Sequence, residues 1–82
     1  IILYGGKPMK IRILEILSAK PRYGYDVWKN LGGVVSLQAV YQHLEELEAE
    51  GLISSYTSDG RRYYQVSDKG RRLLEALKTL EK

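Results

Sequence analysis

The sequence predicts an α+β fold, mainly helical with one β-hairpin, and three observations carry that expectation. The stretch Ser36–Ile53, SLQAVYQHLEELEAEGLI, places Leu37, Val40, Leu44 and Leu47 at three- and four-residue spacing, one apolar stripe on a helix. After Gly51 the periodicity changes from helical to alternating, and Asp59-Gly60 divides the alternating run in two. Helical stripes also precede and follow these two pieces. Eighty-two residues make one domain, 1–82, near the lower limit for a core that stands without staples.

Each element has its own justification. Ile1–Tyr4 is a short apolar run closed by Gly5-Gly6, suited to an edge strand, a tail packed on the core or a dimer contact. Pro8 fits the first turn of a helix. Met9, Ile13, Ile16 and Leu17 then line one face to about Ala19, Ile11 and Leu14 widen the stripe, and Lys20-Pro21 breaks it. Lys7, Lys10 and Arg12 fall on the wet side. Pro21–Gly24 is read as a connector. A short second helix runs from about Tyr25 to Leu31 with Val27, Trp28 and Leu31 as apolar contacts, Trp28 as a core anchor, and Gly32-Gly33 ends it.

The third helix is capped by Ser36 and stopped by Gly51. In the hairpin, central residues Asp59-Gly60 form a type I′ turn, so Ser58 pairs with Arg61, Tyr56 with Tyr63 and Ile53 with Val66. Ile53, Tyr64 and Val66 then share the core face, while Tyr56 and Tyr63 stand opposite each other outside. Ser67 caps a last helix, with Asp68 in its first turn and Leu73, Leu74, Leu77 and Leu80 along its stripe.

Composition narrows the function. There is no cysteine and one histidine, so no disulfide framework is available and a zinc or iron site would rest almost on carboxylates alone; no metal and no cofactor are expected. No apolar run approaches the roughly 20 residues of a membrane span, and IILYGG is too short for a signal peptide, so the expected location is cytoplasmic. The chain begins at Ile1 rather than Met, and an N-terminal piece is expected to precede it. An enzyme is hard to sustain without a cysteine, a glycine-rich phosphate loop or a histidine beside a nucleophile. Glu45, Glu46, Glu48 and Glu50 read as a solvated face rather than an acid/base pair. The net charge of +3 is modest, but basic stretches on either side of those glutamates suit a polyanion partner.

The third helix is divided in the way a major-groove helix must be. Its first half shows Gln38, Ala39, Gln42 and His43 and no carboxylate. Gln38, Gln42 and His43 are the candidates for base edges, since glutamine addresses adenine N6/N7 and imidazole reaches purine N7 or O6. Ser36 and the amides of Leu37 and Gln38 can hold a phosphate at the positive helix end. A short helix, a glycine turn and this helix make a helix-turn-helix, and the hairpin behind it, with Ser58, Arg61 and Arg62 at its tip, reads as a wing. Tyr23, Tyr25 and Tyr41, with Arg22 and Lys29, are the candidates for backbone phosphates. For Tyr25 and Tyr64 a core role is the competing reading.

Taken together, these residues resemble a winged helix-turn-helix regulator, most closely the PadR-like family, over nearly the whole chain. The resemblance rests on Gly24-Tyr25-Asp26-Val27, Val40-Tyr41 with Leu44, Leu47 and Glu48, Gly51-Leu52-Ile53, Tyr63–Ser67 and Gly70. The third helix is also similar to those of ArsR- and MarR-type regulators. The resemblance implies a homodimeric transcriptional regulator of double-stranded DNA, with Tyr41 beside the DNA and Tyr64 inside. PadR-like proteins usually carry a small residue or glycine where Gln38 stands and often a proline where Gln42 stands, so operator preferences do not transfer. They also usually continue into a longer C-terminal dimerisation region, whereas this chain stops at Lys82. The seam is then expected from Ile1–Tyr4, the first helix or the last helix. The alternatives are a protein–protein module of the same fold and a nucleic-acid binder without sequence readout.

Overall fold

The computed structural model describes residues 3–4 and 7–80. Leu3–Tyr4 (β1) pairs antiparallel with Lys7–Pro8 (β2), which makes part of the opening run a strand; Ile1 and Ile2 lie outside the described residues. Helix α1, Met9–Ala19, starts one residue later than the sequence suggested. Pro8 has an extended ψ of 143° and is the N-cap. Met9, Ile13, Leu14, Ile16 and Leu17 are buried along it, as the stripe predicts. Lys20 is extended because the ring of Pro21 disfavours a helical residue before it.

The segment read as a connector contains a strand. Arg22–Tyr23 (β3) pairs antiparallel with Arg61–Val66 (β5), giving a three-stranded sheet in the order β3-β5-β4, where β4 is Ile53–Ser58. Two residues are too few to show a period of two, and only the third strand's partner betrays them. Helix α2, Gly24–Asn30, follows at once, one residue ahead of the expected span. Leu31 caps it, its amide shared between the carbonyls of Val27 and Trp28 at 3.1 Å each. Trp28 packs partly buried against the core and donates its indole N–H to the Val35 carbonyl at 2.8 Å, tying α2 to the turn that follows.

Helix α3, Leu37–Ala49, has the predicted cap: Ser36 Oγ accepts from the Ala39 amide at 3.0 Å. Its end is a Schellman motif. Leu52 N–H reaches the Leu47 carbonyl and Gly51 N–H the Glu48 carbonyl, both at 3.0 Å, with Gly51 at φ +76°. The hairpin has the predicted register throughout, from Ile53↔Val66 to Ser58↔Arg61. Asp59 and Gly60 both have positive φ, 52° and 74°, as a type I′ turn requires. Helix α4, Asp68–Leu80, is capped by Ser67, whose Oγ accepts from the Gly70 amide at 3.1 Å and donates to the Gly51 carbonyl at 2.6 Å. The same hydroxyl therefore closes two helix ends.

The core gathers one stripe from every helix and the inner face of the hairpin. Ile13, Leu14, Leu17, Val27, Leu31, Val40, Leu44 and Leu47 are all essentially inaccessible, and Met9, Ile16, Ile53, Tyr64, Val66 and Leu74 complete it. Among the described residues no polar or charged residue is fully buried, and hydrophobic burial drives the packing. Gly70 allows the closest approach. A Cβ there would overlap the Leu52 carbonyl oxygen and sit 2.6 Å from Val66 Cγ2. Backbone on one side cannot swing away. Gly70→Ala is expected to lower stability by roughly 1–3 kcal/mol, read from the urea midpoint, even though alanine is the better helix former.

Tyr64 is the buried titratable group. Burial holds its hydroxyl above the ordinary tyrosine value, with Glu48 adding to the shift and the nearby Arg62 opposing it. The folded chain thus keeps a proton that the unfolded chain gives up first. The stability linked to it is complete below the unfolded value and is lost as pH rises through the folded one. The melting temperature is expected to fall above about pH 10, and to fall less in Tyr64→Phe, in thermal scans taken across the alkaline range.

Candidate nucleic-acid interface

The apolar stripe of α3 faces inward through Val40, Leu44 and Leu47, so the residues between them are turned out. Gln38, Tyr41 and Gln42 are exposed, and Ala39 is half-buried beside them. This surface carries no carboxylate before Glu45. His43 lies on the flank and is less accessible: its Nδ1 is buried, 3.8 Å from Glu46 Oε1, and finds no hydrogen-bond partner. Only the rest of the ring is available to a ligand. Ser36 spends its hydroxyl on Ala39, leaving the amides of Leu37 and Gln38 at the positive end of the helix.

Tyr41 is held by the start of α2. Its ring lies across Gly24, where a Cβ would collide with Cε1, Cζ and the hydroxyl. The glycine of the Gly24-Tyr25-Asp26-Val27 motif thus lets the Tyr41 ring rest directly on the α2 backbone. Tyr41 remains 43% exposed with its hydroxyl on this edge, and Tyr25, on the adjoining helix, is 45% exposed. Lys29 Nζ lies 5.8 Å from the Tyr25 ring centroid, and the Trp28 ring lies 5.5 Å away. Tyr25 is therefore an exposed residue, and Tyr64 takes the core position.

The remaining candidates are distributed differently from the sequence reading. Arg22 donates from Nη1 to Asp26 Oδ2 at 2.9 Å, its side chain is mostly buried, and its Nε is left without a partner. Its charge is engaged at the β3–α2 corner. Tyr23 extends the predicted Tyr56–Tyr63 pair into a row: Tyr23, Tyr63 and Tyr56 lie directly opposite one another across all three strands. Tyr56 and Tyr63 stack at 5.7 Å, Tyr23 meets Tyr63 edge-on at 5.6 Å, and the Arg61 guanidinium covers the Tyr23 ring at 4.8 Å. Only the unseen strand β3 makes the row.

The glutamates of α3 form a largely exposed face, and three of them also act as struts. Glu46 Oε1 meets Lys10 Nζ at 3.1 Å and Glu50 Oε2 meets it at 4.0 Å, joining α3 to α1. The Lys10 ammonium pulls the Glu46 carboxyl below its usual value, with a smaller contribution from His43. Glu48 turns the other way, to Ser55 and Arg62 of the hairpin. Glu45 makes no such strut and lines, with Tyr41, Glu48, Arg62 and Tyr64, an open cleft of about 370 Å³. Among the described residues no helix is long and apolar enough to cross a membrane, and no group of three or more His, Asp or Glu is placed to hold a metal ion.

Residues 13–76 match the model of the transcriptional regulator PadR-like family. The chain belongs to that family. Its members are transcriptional regulators, not enzymes. A PadR family transcription regulator from hypervirulent Clostridium difficile R20291 is similar, at 32% identity over 85% of this chain and 82% of that one, with a TM-score of 0.76. The protein smu.1704 from Streptococcus mutans UA159 shares 30% identity over 85% of this chain and 72% of its own, with a TM-score of 0.75. The homodimeric winged helix-turn-helix DNA-binding domain Mb0332 from Mycobacterium bovis, a possible ArsR-family regulator, aligns over 88% of this chain and 66% of its own at 20% identity and a TM-score of 0.77, a likeness of fold. Comparison with curated proteins gives no match. In this PadR-like chain the close contact of Gly24 with Tyr41 meets only the far end of a half-exposed ring. Gly24→Ala is therefore expected to change stability by less than about 1 kcal/mol in urea denaturation, while shifting the Tyr41 ring protons in NMR spectra as the ring swings aside.

Proposed function

We propose that this chain binds double-stranded DNA sequence-specifically as a homodimer in the cytoplasm, with α3 in the major groove and the wing against the neighbouring backbone or minor groove. The observation that carries the proposal is the α3 surface, where Gln38, Tyr41 and Gln42 stand exposed and free of carboxylates at the end that would enter the groove. Gln38 and Gln42 address base edges through their amides, and His43 contributes from the flank. Tyr41, Tyr25 and Lys29 contact phosphates on one side, the amides at the start of α3 receive another, and Ser58 and Arg61 at the wing tip a further one. Arg22 and Tyr23 act through the fold, the one pinning α2 and the other seating Arg61.

The dimer rests on a second observation. Leu73 and Leu77 of α4 are only partly covered and Leu80 is 80% exposed, so the predicted stripe extends beyond what its own domain buries. Beside it an open groove of about 270 Å³ runs between α1 and α4, lined by Ile11, Ser18, Leu74 and Leu77 among others. A two-fold partner laying its α4 here buries both, and the resulting half-sites are inverted repeats about one helical turn apart.

Fluorescence anisotropy on labelled duplexes, one from the region upstream of the gene and one of random sequence, tests the reading. The wild-type chain is expected to favour the upstream duplex. Gln38→Ala and Gln42→Ala are each expected to reduce that preference by roughly fivefold or more, corresponding to about 1–3 kcal/mol per lost bidentate contact. Unchanged preference in both variants would remove base readout by α3 and leave a binder of phosphates or of another protein.

A further inference from the structure

We propose that Glu48 is a positioning residue for DNA selection: it holds Arg62 away from the phosphate backbone and leaves Arg61 as the DNA-facing cation of the wing. The proposal rests on the DNA-binding reading above. Its basis is strand alternation. Arg61 and Arg62 are neighbours in sequence, but successive residues of a strand point to opposite faces. Arg61 shares the outer face with the Tyr23–Tyr63–Tyr56 row. Arg62 shares the inner face with Tyr64 and Val66, the face that α3 covers.

On that inner face a closed ring of three hydrogen bonds waits. Arg62 Nη2 donates to Glu48 Oε1 at 3.1 Å, Arg62 Nε donates to Ser55 Oγ at 3.1 Å, and Ser55 Oγ donates to Glu48 Oε2 at 2.6 Å. The ring joins α3, β4 and β5, and the guanidinium also lies 5.7 Å from the Tyr64 ring centroid. Glu45 lines the same cleft, so a phosphate approaching Arg62 there meets two carboxylates. Arg61, over Tyr23, has no carboxylate partner among the described residues. The ring is only partly covered, with Arg62 at 60% and Glu48 at 32% of their side-chain surface exposed, so solvent screens it and its contribution to folding is small. Its effect is on where the second wing cation points.

A mutant cycle read by the salt dependence of binding to a fluorescein-labelled random duplex tests this. Arg62→Ala alone is expected to keep the wild-type slope. Glu48→Ala is expected to steepen it by about 0.9 and to raise random-duplex affinity about fivefold at physiological salt, because Arg62 becomes free to neutralise one phosphate. Glu48→Ala/Arg62→Ala is expected to return to the Arg62→Ala values, and Glu48→Gln, which keeps an acceptor for Arg62, to lie near wild type. Melting temperatures should stay within about 4 °C throughout. The proposal is overturned if Arg62→Ala alone flattens the slope by about 0.9, for then Arg62 already sits on a phosphate. It is equally overturned if Glu48→Ala strengthens binding as much without Arg62 as with it, the mark of a lost negative charge acting at a distance. Exchange of the Arg62 Nε proton, followed by NMR without DNA, supplies the independent arm. It should be slower in the wild type than in Glu48→Ala or Ser55→Ala, and equal rates would sink the ring even if DNA binding stands. No binding of any duplex by the wild type would overturn the DNA-binding reading and this proposal with it.

Discussion

The register of the hairpin is the constraint on which most of the other contacts depend. Side chains alternate along a strand, so a slip of one residue between β4 and β5 would carry Ile53, Tyr64 and Val66 out of the core together. The Asp59-Gly60 turn prevents that slip, because only residues that accept positive φ close a two-residue loop with the twist of the strands. Everything around the sheet inherits the choice. Tyr63 is set to receive Tyr23 on one side and Tyr56 on the other, Ser55 is set under α3, and the two arginines at the tip are sent to opposite faces.

Helix α3 serves two purposes along its length. Its first half is turned outward with amide and phenol groups, and its second half is bound on both sides, to α1 through Lys10 and to the hairpin through Ser55 and Arg62. A helix that is to present side chains to a groove within a few tenths of an ångström needs a rigid frame. The frame here comes from the half that carries the negative charge. At the far end the Schellman closure and the Ser67 hydroxyl join α3 to the start of α4, and Lys69 adds its ammonium to the Glu50 carbonyl at 2.8 Å, where the helix dipole favours a cation.

Much of this was legible in the residues. Long elements with a period of their own, α1, α3 and α4, appear where the stripes place them, and the hairpin appears pair for pair because its turn chemistry fixes it. What could not be read was whatever depends on a partner distant in sequence. Strand β3 has two residues and no period, and it exists because β5 offers an edge. Arg22 and Arg62 look like Arg61 in the sequence, yet Asp26 engages the first and Glu48 the second. Gly24 and Gly70 stand out as glycines, but only the structure shows that each makes room for a specific neighbour, a movable ring in one case and a fixed carbonyl in the other.

The charge pattern gains meaning from the same contacts. A net charge of +3 looks weak for a polyanion partner, and four glutamates on α3 look adverse. The fold does not leave those charges as they stand. Lys10 is matched to Glu46 and Glu50, Arg22 to Asp26, and Arg62 to Glu48, which removes the acids from the field nearest α3 as much as it removes the bases. Glu45 stays exposed on α3, while two cations, Lys29 beside Tyr25 and Arg61 over Tyr23, each rest on an aromatic ring rather than on a carboxylate. A ring steadies a cation without neutralising it. Ion pairs at Lys10, Arg22 and Arg62 build the frame, and the two cations that rest on rings stay outside those pairs with their charge intact.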